Sequence, residues 1–291
     1  MLAVNWAAMV KDRFAVTLGM HKRRISMNGV DSRFIDLNSP SAIAFQLEQI
    51  NAVIVINTAA ITNVDVCELE PQIARHANVD IAHNVALACK AHGAKLVHIS
   101  TDHVFGGAHS MLSEAAAIDP INVYAKTKAD GEAAVLDACP NAIVARTNFF
   151  GWGLPYRKSF SDTIIDSLRT GCQISLFSDA YFTPILMELL INAVHELVNI
   201  DARGIFHISG DERVSKYDFG LRIAQTFDLD AGMINPTFLA ERRDLTPRPL
   251  DLSLDNLKLR TTVGYAIGDV CSQLERLRSQ HIRKLNLEIV K

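Results

Sequence analysis

Residues 52–57 read AVIVIN and residues 95–100 read KLVHIS, with a stretch of helical period at 71–92 between them. Both short runs are rich in β-branched residues, which is typical of buried strands. In the stretch between them, apolar residues recur at three- and four-residue steps on one helix face: Ile73, Ala77, Ile81, Val85 and Ala88. Strand, helix and strand in this order predict a βαβ unit with parallel strands.

The same alternation continues on both sides of this unit. Further strands are predicted at 14–19 and 142–146, and further helices at 122–138 and 159–169. A sheet built from such units is parallel and is covered by helices on both faces. The sequence therefore predicts the α/β class, with a doubly wound, Rossmann-like parallel sheet.

After about residue 150 the alternation loosens into a loop-like stretch, a short predicted strand at 205–209 and two predicted helices, at 215–227 and near 268–279. Doubly wound sheets bind dinucleotides at the carboxyl ends of their strands, and a second lobe can close over that crevice. We therefore predict a dinucleotide-binding domain at 1–150. Residues 151–291 are predicted to form mainly a smaller substrate-binding lobe, with some segments returning to the first domain.

Composition excludes several classes of protein. The chain has 291 residues, 49% of them hydrophobic, and a formal net charge of -3, so it offers no strong field for nucleic acid or an anionic membrane. Its apolar runs are too short to span a bilayer, and its N-terminus lacks the pattern of a signal peptide. Five scattered cysteines form no disulfide framework or CxxC motif, which fits a reducing cytosol. We predict a cytoplasmic enzyme.

The beginning of the chain departs from the usual dinucleotide-binding pattern. Such folds open with a strand and a glycine-rich turn that holds the pyrophosphate, but Gly19 and Gly29 are the first glycines and form no GxGxxG motif. A helical pattern at 2–12 instead leads directly into the strand at 14–19. This order is expected if the first strand and its loop are absent, through a misassigned start codon, a shortened chain or a real loss. A real loss would weaken cofactor binding and favour a non-catalytic role.

Two features near the second predicted strand bear on the choice of cofactor. Arg23 and Arg24 follow the strand at 14–19, where basic groups suit the 2′-phosphate of NADP and an acid would suit NAD. This favours NADPH, with NADH as the alternative, although a solvated charged turn explains the same residues. Asp36 follows a third predicted strand and is a candidate partner for the adenine amino group, or an initiator of the next helix.

A tyrosine and a lysine at helical spacing are the main candidates for chemistry. Tyr124 and Lys128 lie four residues apart on one face of the helix predicted at 122–138. A fixed ammonium favours the phenolate and lowers the tyrosine pKa, which suits proton transfer to a carbonyl oxygen. Thr101 follows the predicted strand at 95–100, so its hydroxyl is expected at the same crevice.

Six segments resemble the extended short-chain dehydrogenase/reductase family, and within it the dTDP-4-dehydrorhamnose reductases. They are NTAA at 57–60, HISTDHVFGG at 98–107, YAKTK at 124–128, RTNFFG at 146–151, FSDAYFTP at 177–184 and RPLDLSLD at 248–255. His103 stands where this family usually has tyrosine, Phe149 where tryptophan is common, and Asp251 where asparagine is usual.

The resemblance implies roles for the catalytic and cofactor residues. Tyr124 is the implied proton donor, Lys128 binds the nicotinamide ribose and tunes Tyr124, and Thr101 orients the substrate carbonyl. The cofactor is lined in this interpretation by Thr58, Ala59 and Ala60, with Asn78 nearby.

The implied nucleotide-sugar pocket draws on three segments. Its candidate residues are Asp102, His103, Val104, Phe105, Phe149 and Arg248. A guanidinium at Arg248 suits a nucleotide diphosphate, because it can bind two oxygens at once. An ordinary surface ion pair is the competing interpretation of Arg248.

The leading hypothesis is therefore an NADPH-dependent reductase of a 4-keto-6-deoxy nucleotide sugar. One alternative is a non-catalytic binding subunit of the same fold, similar to the regulatory subunit of methionine adenosyltransferase, which the absent glycine loop favours. Another is a nucleotide-sugar epimerase. The histidine spacing predicts no metal site, no nucleic-acid or membrane partner is expected, and a homodimer is left open.

Overall fold

A computed structural model describes residues 1–20 and 25–282. Its α-helices are α1 (Leu2–Val10), α2 (Pro40–Gln49), α3 (Val64–Leu69), α4 (Pro71–Arg75), α5 (Ile81–His92), α6 (Val123–Ala138), α7 (Phe160–Arg169), α8 (Met187–Asn199), α9 (Lys216–Thr226), α10 (Leu257–Val263) and α11 (Val270–Ile282). Its strands are β1 (Val16–Met20), β2 (Val30–Phe34), β3 (Ile54–Asn57), β4 (Lys95–Ile99), β5 (Ile143–Arg146), β6 (Phe149–Phe150), β7 (Ile174–Phe177), β8 (Tyr181–Phe182), β9 (Ile185–Leu186), β10 (Gly204–His207), β11 (Val214–Ser215), β12 (Ile234–Thr237) and β13 (Asp251–Leu252).

The predicted βαβ unit is present. Strands β3 and β4 are parallel neighbours, with Ile54 opposite Lys95, and the sheet continues in the order β3, β4, β5, β10. The helical stretch between β3 and β4 runs through α4 and α5, joined by a π-helical turn at His76–Asp80. Every residue of β5 is buried, as expected for a strand with helices on both faces.

Strands β1 and β2, which precede β3 in the chain, form a separate parallel sheet. Strand β1 pairs with β2, and within the described residues no strand joins that pair to β3. The helix predicted at the start of the chain is α1, and it precedes β1 as expected. Helix α1 packs against β1 and α8, so its apolar side chains are buried in the core.

Helices cover both faces of the four-stranded sheet. On one face, α2, α5 and α6 bury Leu47, Val85 and Val135 in one apolar cluster with β4 and β5. On the other face, Trp6 of α1 and Leu190 of α8 lie in a second cluster that also contains residues of β4, β5 and β10. The α/β class and the doubly wound arrangement are therefore confirmed.

A third apolar cluster is built mainly from residues after 149. Helices α7, α9 and α11 surround Phe182 and Phe219, beside a small mixed sheet in the order β11, β8, β13. Strand β10 also follows residue 149, but it pairs with β5 of the parallel sheet instead. No helix of the described residues is long and apolar enough to cross a membrane.

Helix α6 lies unusually close to the π-helical turn. A Cβ atom built on Gly131 would stand 2.3 Å from the backbone oxygen of Asn78. Real Cβ atoms do not approach backbone oxygens so closely, so only glycine allows this contact. The close approach fixes the position of α6, which carries Tyr124 and Lys128.

We predict that Gly131→Ala destabilises the protein by about 2 kcal/mol or more, because either α6 or the π-helical turn must move. Equilibrium unfolding in urea measures the difference. Ala133→Ser is the matched control, since Ala133 is exposed on the same helix and its change should cost under about 0.5 kcal/mol. Equal midpoints for the two variants would contradict the close-packing argument.

Candidate active site

The start of helix α6 is fixed by its N-cap residue. The Asn122 carbonyl oxygen Oδ1 accepts a hydrogen bond of 2.8 Å from the Ala125 backbone N–H, and its Nδ2 donates to the Pro247 carbonyl at 2.9 Å. Asparagine is a favoured N-cap because its side chain satisfies a free N–H of the first turn. This cap places Tyr124 and Lys128 on the turns of α6 that face the carboxyl end of β4.

Lys128 is buried, with 1% of its surface exposed. Its Nζ donates a hydrogen bond of 2.8 Å to the carbonyl of Ile99, the last residue of β4, and lies 3.4 Å from His98 Nε2. Burial lowers the lysine pKa to about 8, and the nearby Glu132 opposes that shift. The amine is therefore held at the strand end with unused hydrogen-bonding capacity.

His98 links this lysine to the end of β3. Asn57 Nδ2 lies 3.1 Å from His98 Nδ1, while Asn57 Oδ1 accepts a 3.1 Å hydrogen bond from the Ala59 N–H. Burial, and then the charge of Lys128, lower the pKa of His98, which favours the neutral ring. The chain from Asn57 to Lys128 thus fixes both the amine and the segment after β3, where Thr58, Ala59 and Ala60 lie half-buried.

Tyr124 is buried, with 7% exposed, and its ring meets that of His103 edge to face at 5.4 Å between centroids. Burial raises the pKa of its phenol, the charge of Asp102 adds to the rise, and hydrogen bonding with the Thr101 side chain opposes it. The expectation that Lys128 lowers this pKa is wrong for the described structure, because burial dominates. The phenol is accordingly held protonated, as a proton donor must be.

The segment after β4 forms one turn of 3₁₀-helix, Asp102–Val104, capped by Thr101. Thr101 Oγ1 accepts from the His103 N–H at 3.2 Å and donates to Asp102 Oδ1 at 3.1 Å. Asn148 Nδ2 donates to Asp102 Oδ2 at 2.6 Å. The Asp102 carboxylate is 1% exposed and keeps a spare lone pair on each oxygen.

The ion pair that was the competing interpretation of Arg248 is present, and its binding of a diphosphate stays a prediction. Its Nη2 forms an ion pair of 2.7 Å with Asp65, whereas its Nε is buried without a partner. The buried Nδ1 of His103 also lacks a partner, and burial chiefly lowers the pKa of that ring, with the charges of Lys216 and Arg248 contributing. Unpaired buried polar atoms are costly, so these atoms point to a ligand.

Two residues predicted to bind substrate are packing residues. Val104 is 0% exposed and Phe105 is 1% exposed, in an apolar cluster with Ala129 and Leu254. The Phe105 ring also meets the guanidinium of Arg146 at 5.2 Å. The described structure gives both side chains a packing role, and their contact with substrate stays a prediction.

Asn78 was predicted near the cofactor, and the structure uses its amide inside the protein. Its Oδ1 accepts from the Ile61 N–H at 2.8 Å, and its Nδ2 donates to the Ile61 carbonyl and to Thr127 Oγ1. Both amide hydrogens are therefore taken. Asn78 attaches the loop after β3 to α6, and its place near the cofactor stays a prediction.

Four further residues were predicted to bind cofactor or substrate: Asp36, Phe149, Arg23 and Arg24. Asp36 is exposed, and its Oδ1 accepts from the backbone and side chain of Asn38, ahead of the Ser39 cap of α2. Phe149 is half-buried in β6 and packs against the core of the parallel sheet. Arg23 and Arg24 lie outside the described residues.

Sequence reasoning missed three polar side chains of this site: His98, Asn148 and Lys216. A histidine inside an otherwise apolar buried strand was a signal for His98, because buried polar groups need a partner. Lysine in the first turn of a helix, where acids are preferred, was a signal for Lys216. No local feature marked Asn148.

Comparison with known proteins places this geometry in context. Residues 15–281 match the family model described as RmlD substrate binding domain. A dTDP-4-dehydrorhamnose reductase of Aggregatibacter actinomycetemcomitans is 28% identical over 88% of this chain and 90% of its own. Methionine adenosyltransferase 2 subunit beta of Xenopus tropicalis is 28% identical over 78% of this chain and 70% of its own.

A solved structure supports the same relationship. The dTDP-4-dehydrorhamnose reductase of Bacillus anthracis str. Ames, in complex with NADP, superposes with a TM-score of 0.79 and is 27% identical, covering 86% of this chain and 90% of its own. The family model matches well over half of the sequence and includes the whole cluster around Tyr124. The chain therefore belongs to the RmlD substrate binding domain family, whose members include extended short-chain dehydrogenase/reductase enzymes.

Proposed function

We propose that the protein reduces the 4-keto group of a 4-keto-6-deoxy nucleotide sugar, with NADPH as the reductant. The observation that carries this proposal is the placement of Thr101, Tyr124 and Lys128 together at the carboxyl end of β4. A phenol held protonated beside a fixed amine suits proton delivery to a carbonyl oxygen. The reductase and the NADP complex among its relatives support the same chemistry.

The residues present fit the nicotinamide end of such a cofactor. When bound, the cofactor supplies the hydride. Lys128 Nζ has donors left for the ribose hydroxyls after its bond to the Ile99 carbonyl, and the half-buried segment of Thr58, Ala59 and Ala60 lies at the end of the neighbouring strand. Arg23 and Arg24, with Asp36, remain candidates for the adenosine end.

Tyr124 and Thr101 then act on the substrate carbonyl. The Tyr124 phenol can donate to the carbonyl oxygen, and the Thr101 hydroxyl can do so once its single hydrogen turns from Asp102 to the substrate. These hydrogen bonds polarise the carbon that accepts the hydride. Tyr124 transfers its proton to the alkoxide as it forms. An ammonium at Lys128 would stabilise the phenolate that this proton transfer leaves behind.

The nucleotide-sugar pocket is proposed between the two parts of the chain, 1–150 and 151–291. Arg248 lies at its edge, and the unpartnered Nε suits a diphosphate oxygen. Asp102 and His103 are the proposed contacts on the other side, and Phe149 is retained as a candidate contact. We also propose a cytoplasmic location and leave the oligomeric state open.

A non-catalytic binding subunit is the second candidate. Within the described residues, no glycine-rich turn follows a strand to hold a pyrophosphate, and the parallel pair β1–β2 is separate from the sheet of β3, β4, β5 and β10. The relative named methionine adenosyltransferase 2 subunit beta shows that the family is not restricted to proteins named reductases. The clustered Thr101, Tyr124 and Lys128 favour the reductase.

Direct assay separates the two candidates. We expect dTDP-4-dehydrorhamnose to drive oxidation of NADPH, followed at 340 nm, and NADPH to raise the unfolding midpoint more than NADH does at equal concentration. NADPH stabilisation without substrate-dependent oxidation would favour the binding subunit. Absence of both effects would contradict the reductase.

Tyr124→Phe tests the proposed proton donor. The variant keeps the ring and its contact with His103 but removes the hydroxyl, so kcat should fall by a factor of about 100 or more. The NADPH-dependent rise in unfolding midpoint should remain. Tyr265→Phe is the matched control, because Tyr265 lines a separate cavity of about 320 Å³ with Arg13 and His195. Full activity in Tyr124→Phe would contradict the assignment.

Lys128→Met tests the protonation state of the buried amine in the cofactor-free protein. The pKa of Lys128 is about 8 in the native protein, below the ordinary value of 10.5. Between pH 8 and pH 10.5, Lys128 is therefore protonated in the unfolded chain and largely neutral in the native protein. Wild-type stability relative to the variant should therefore rise with pH, by up to about 1.4 kcal/mol per pH unit above pH 8. Urea unfolding at pH 7.5 and 9.5 measures this difference, and a constant difference would contradict the depressed pKa.

A further inference from the structure

His98 contacts a different polar side chain through each of its two ring nitrogens. It is the fourth residue of β4 and is 1% exposed. Its Nδ1 lies 3.1 Å from Asn57 Nδ2, and its Nε2 lies 3.4 Å from Lys128 Nζ. A neutral imidazole carries a hydrogen on one nitrogen and accepts a hydrogen bond at the other. The position of that hydrogen therefore decides what the ring offers to Lys128.

The amide of Asn57 decides which ring nitrogen carries the hydrogen. Asn57 Oδ1 accepts a hydrogen bond of 3.1 Å from the Ala59 N–H, so the NH₂ group of the amide faces His98. An NH₂ group only donates, so Nδ1 accepts and the ring hydrogen lies on Nε2. The opposite tautomer would point Nδ1–H at the NH₂ group, and turning the amide over would point that group at the Ala59 N–H. Either change sets two donors against each other.

The ring therefore offers Lys128 a donor and not an acceptor. An ammonium has three N–H donors and no lone pair, so it cannot accept from Nε2–H, whereas a neutral amine can. Nζ also donates to the Ile99 carbonyl at 2.8 Å, which either form of the lysine is able to do. Both contacts of Nζ are satisfied together only when the amine is neutral.

We propose that His98 is a positioning residue whose Nε2–H donates to Lys128 Nζ and holds that side chain as a neutral amine in the cofactor-free protein. For activity, this inference rests on the proposed function. The charged form of Lys128 is the one that stabilises a phenolate at Tyr124. Because His98 favours the neutral form, the charged lysine is present over a narrower range of pH than in a site without this donor.

The other groups around this amine come from several elements. Glu132 of α6 raises the pKa of Lys128, but its carboxylate is already paired with Arg146 of β5. Strand β3 presents the uncharged amide of Asn57, and Tyr124 lies one turn earlier on α6 with its phenol protonated. The titratable side chains of the 3₁₀ turn and of α3 that reach this region act on Tyr124: Asp102, His103 and Cys67.

Ring ¹⁵N chemical shifts show directly which nitrogen of His98 carries the hydrogen. In the cofactor-free wild type, with the His98 signals assigned from the neighbouring residues of β4, we expect hydrogen on Nε2 and none on Nδ1. Hydrogen on Nδ1 would overturn the inference, because Nε2 would then accept from an ammonium. This measurement uses the unaltered protein, so it decides the matter even if a variant of His98 does not fold.

His98→Gln separates the effect of the donor from that of burial. Glutamine offers Nζ an amide oxygen, so the pKa of Lys128 should rise from about 8 toward 10.5, by about one pH unit or more. Titration of the lysine ¹³Cε signal, identified by its loss in Lys128→Met, measures this pKa. An equal pKa in wild type and His98→Gln would assign the low value to burial alone and contradict the role of His98.

His83→Gln is the matched control. His83 is half-buried on α5, and its Nδ1 lies 3.4 Å from the carbonyl of Ala134 on α6. It therefore contacts the same helix as His98 but not the lysine amine, and its replacement should leave the pKa of Lys128 unchanged. A rise in both variants would show that the lysine responds to any loosening of α6, which would overturn the inference.

The pH profile of kcat/KM connects this contact with the proposed reduction. With NADPH and dTDP-4-dehydrorhamnose, activity should fall above about pH 8 in wild type and at higher pH in His98→Gln. The same alkaline limit in both proteins would contradict a role of His98 in activity. Absence of NADPH oxidation by the wild type would instead contradict the proposed reduction, while the ring tautomer and the lysine pKa would still decide the role of His98.

Discussion

The arrangement of the site depends on one buried ion pair beneath it. Glu132 of α6 receives hydrogen bonds from Arg146 Nε at 3.0 Å and Nη2 at 2.7 Å, and from the Ser100 hydroxyl at 2.5 Å. The two charged side chains are 3% and 4% exposed. Because Glu132 lies one helical turn beyond Lys128, this pair fixes α6 against the ends of β4 and β5. Removing either partner would leave an uncompensated buried charge, at a cost of about 3–5 kcal/mol.

Arg146 of this ion pair also contacts a residue from the part of the chain after residue 150. Arg146 Nη1 lies 3.5 Å from His207 Nε2 in β10, and the His207 N–H donates to Glu114 at 2.8 Å. The Asp255 carbonyl lies 3.1 Å from His207 Nδ1. One polar network thereby holds helix α6, the sheet and the loop that leads from Arg248. Such a network specifies one arrangement of the crevice because each member needs all of its partners.

Much of this structure could be predicted from the sequence, because the signals for it are local. The β-branched run at 52–57 gave its strand, and the spacing of Tyr124 and Lys128 placed both on one face of α6. The hydrogen bond from Asn148 to Asp102 was not predictable, since it joins residues 46 apart in the sequence and depends on tertiary packing. The complete burial of Val104 was not predictable for a related reason: adjacency to Thr101 does not show which way a 3₁₀ turn directs each side chain.

Burial explains the charge state of the crevice as a whole. It lowers the pKa of Lys128 and Lys216 to about 8, lowers that of His98 and His103, and raises that of the Tyr124 phenol. Every one of these shifts favours the neutral form, because a low-dielectric crevice penalises charge. A bound nucleotide sugar and a bound dinucleotide would supply hydroxyl and phosphate oxygens that accept hydrogen bonds from the amines of Lys128 and Lys216. The site therefore keeps N–H and O–H donors for which bound ligands supply the acceptors.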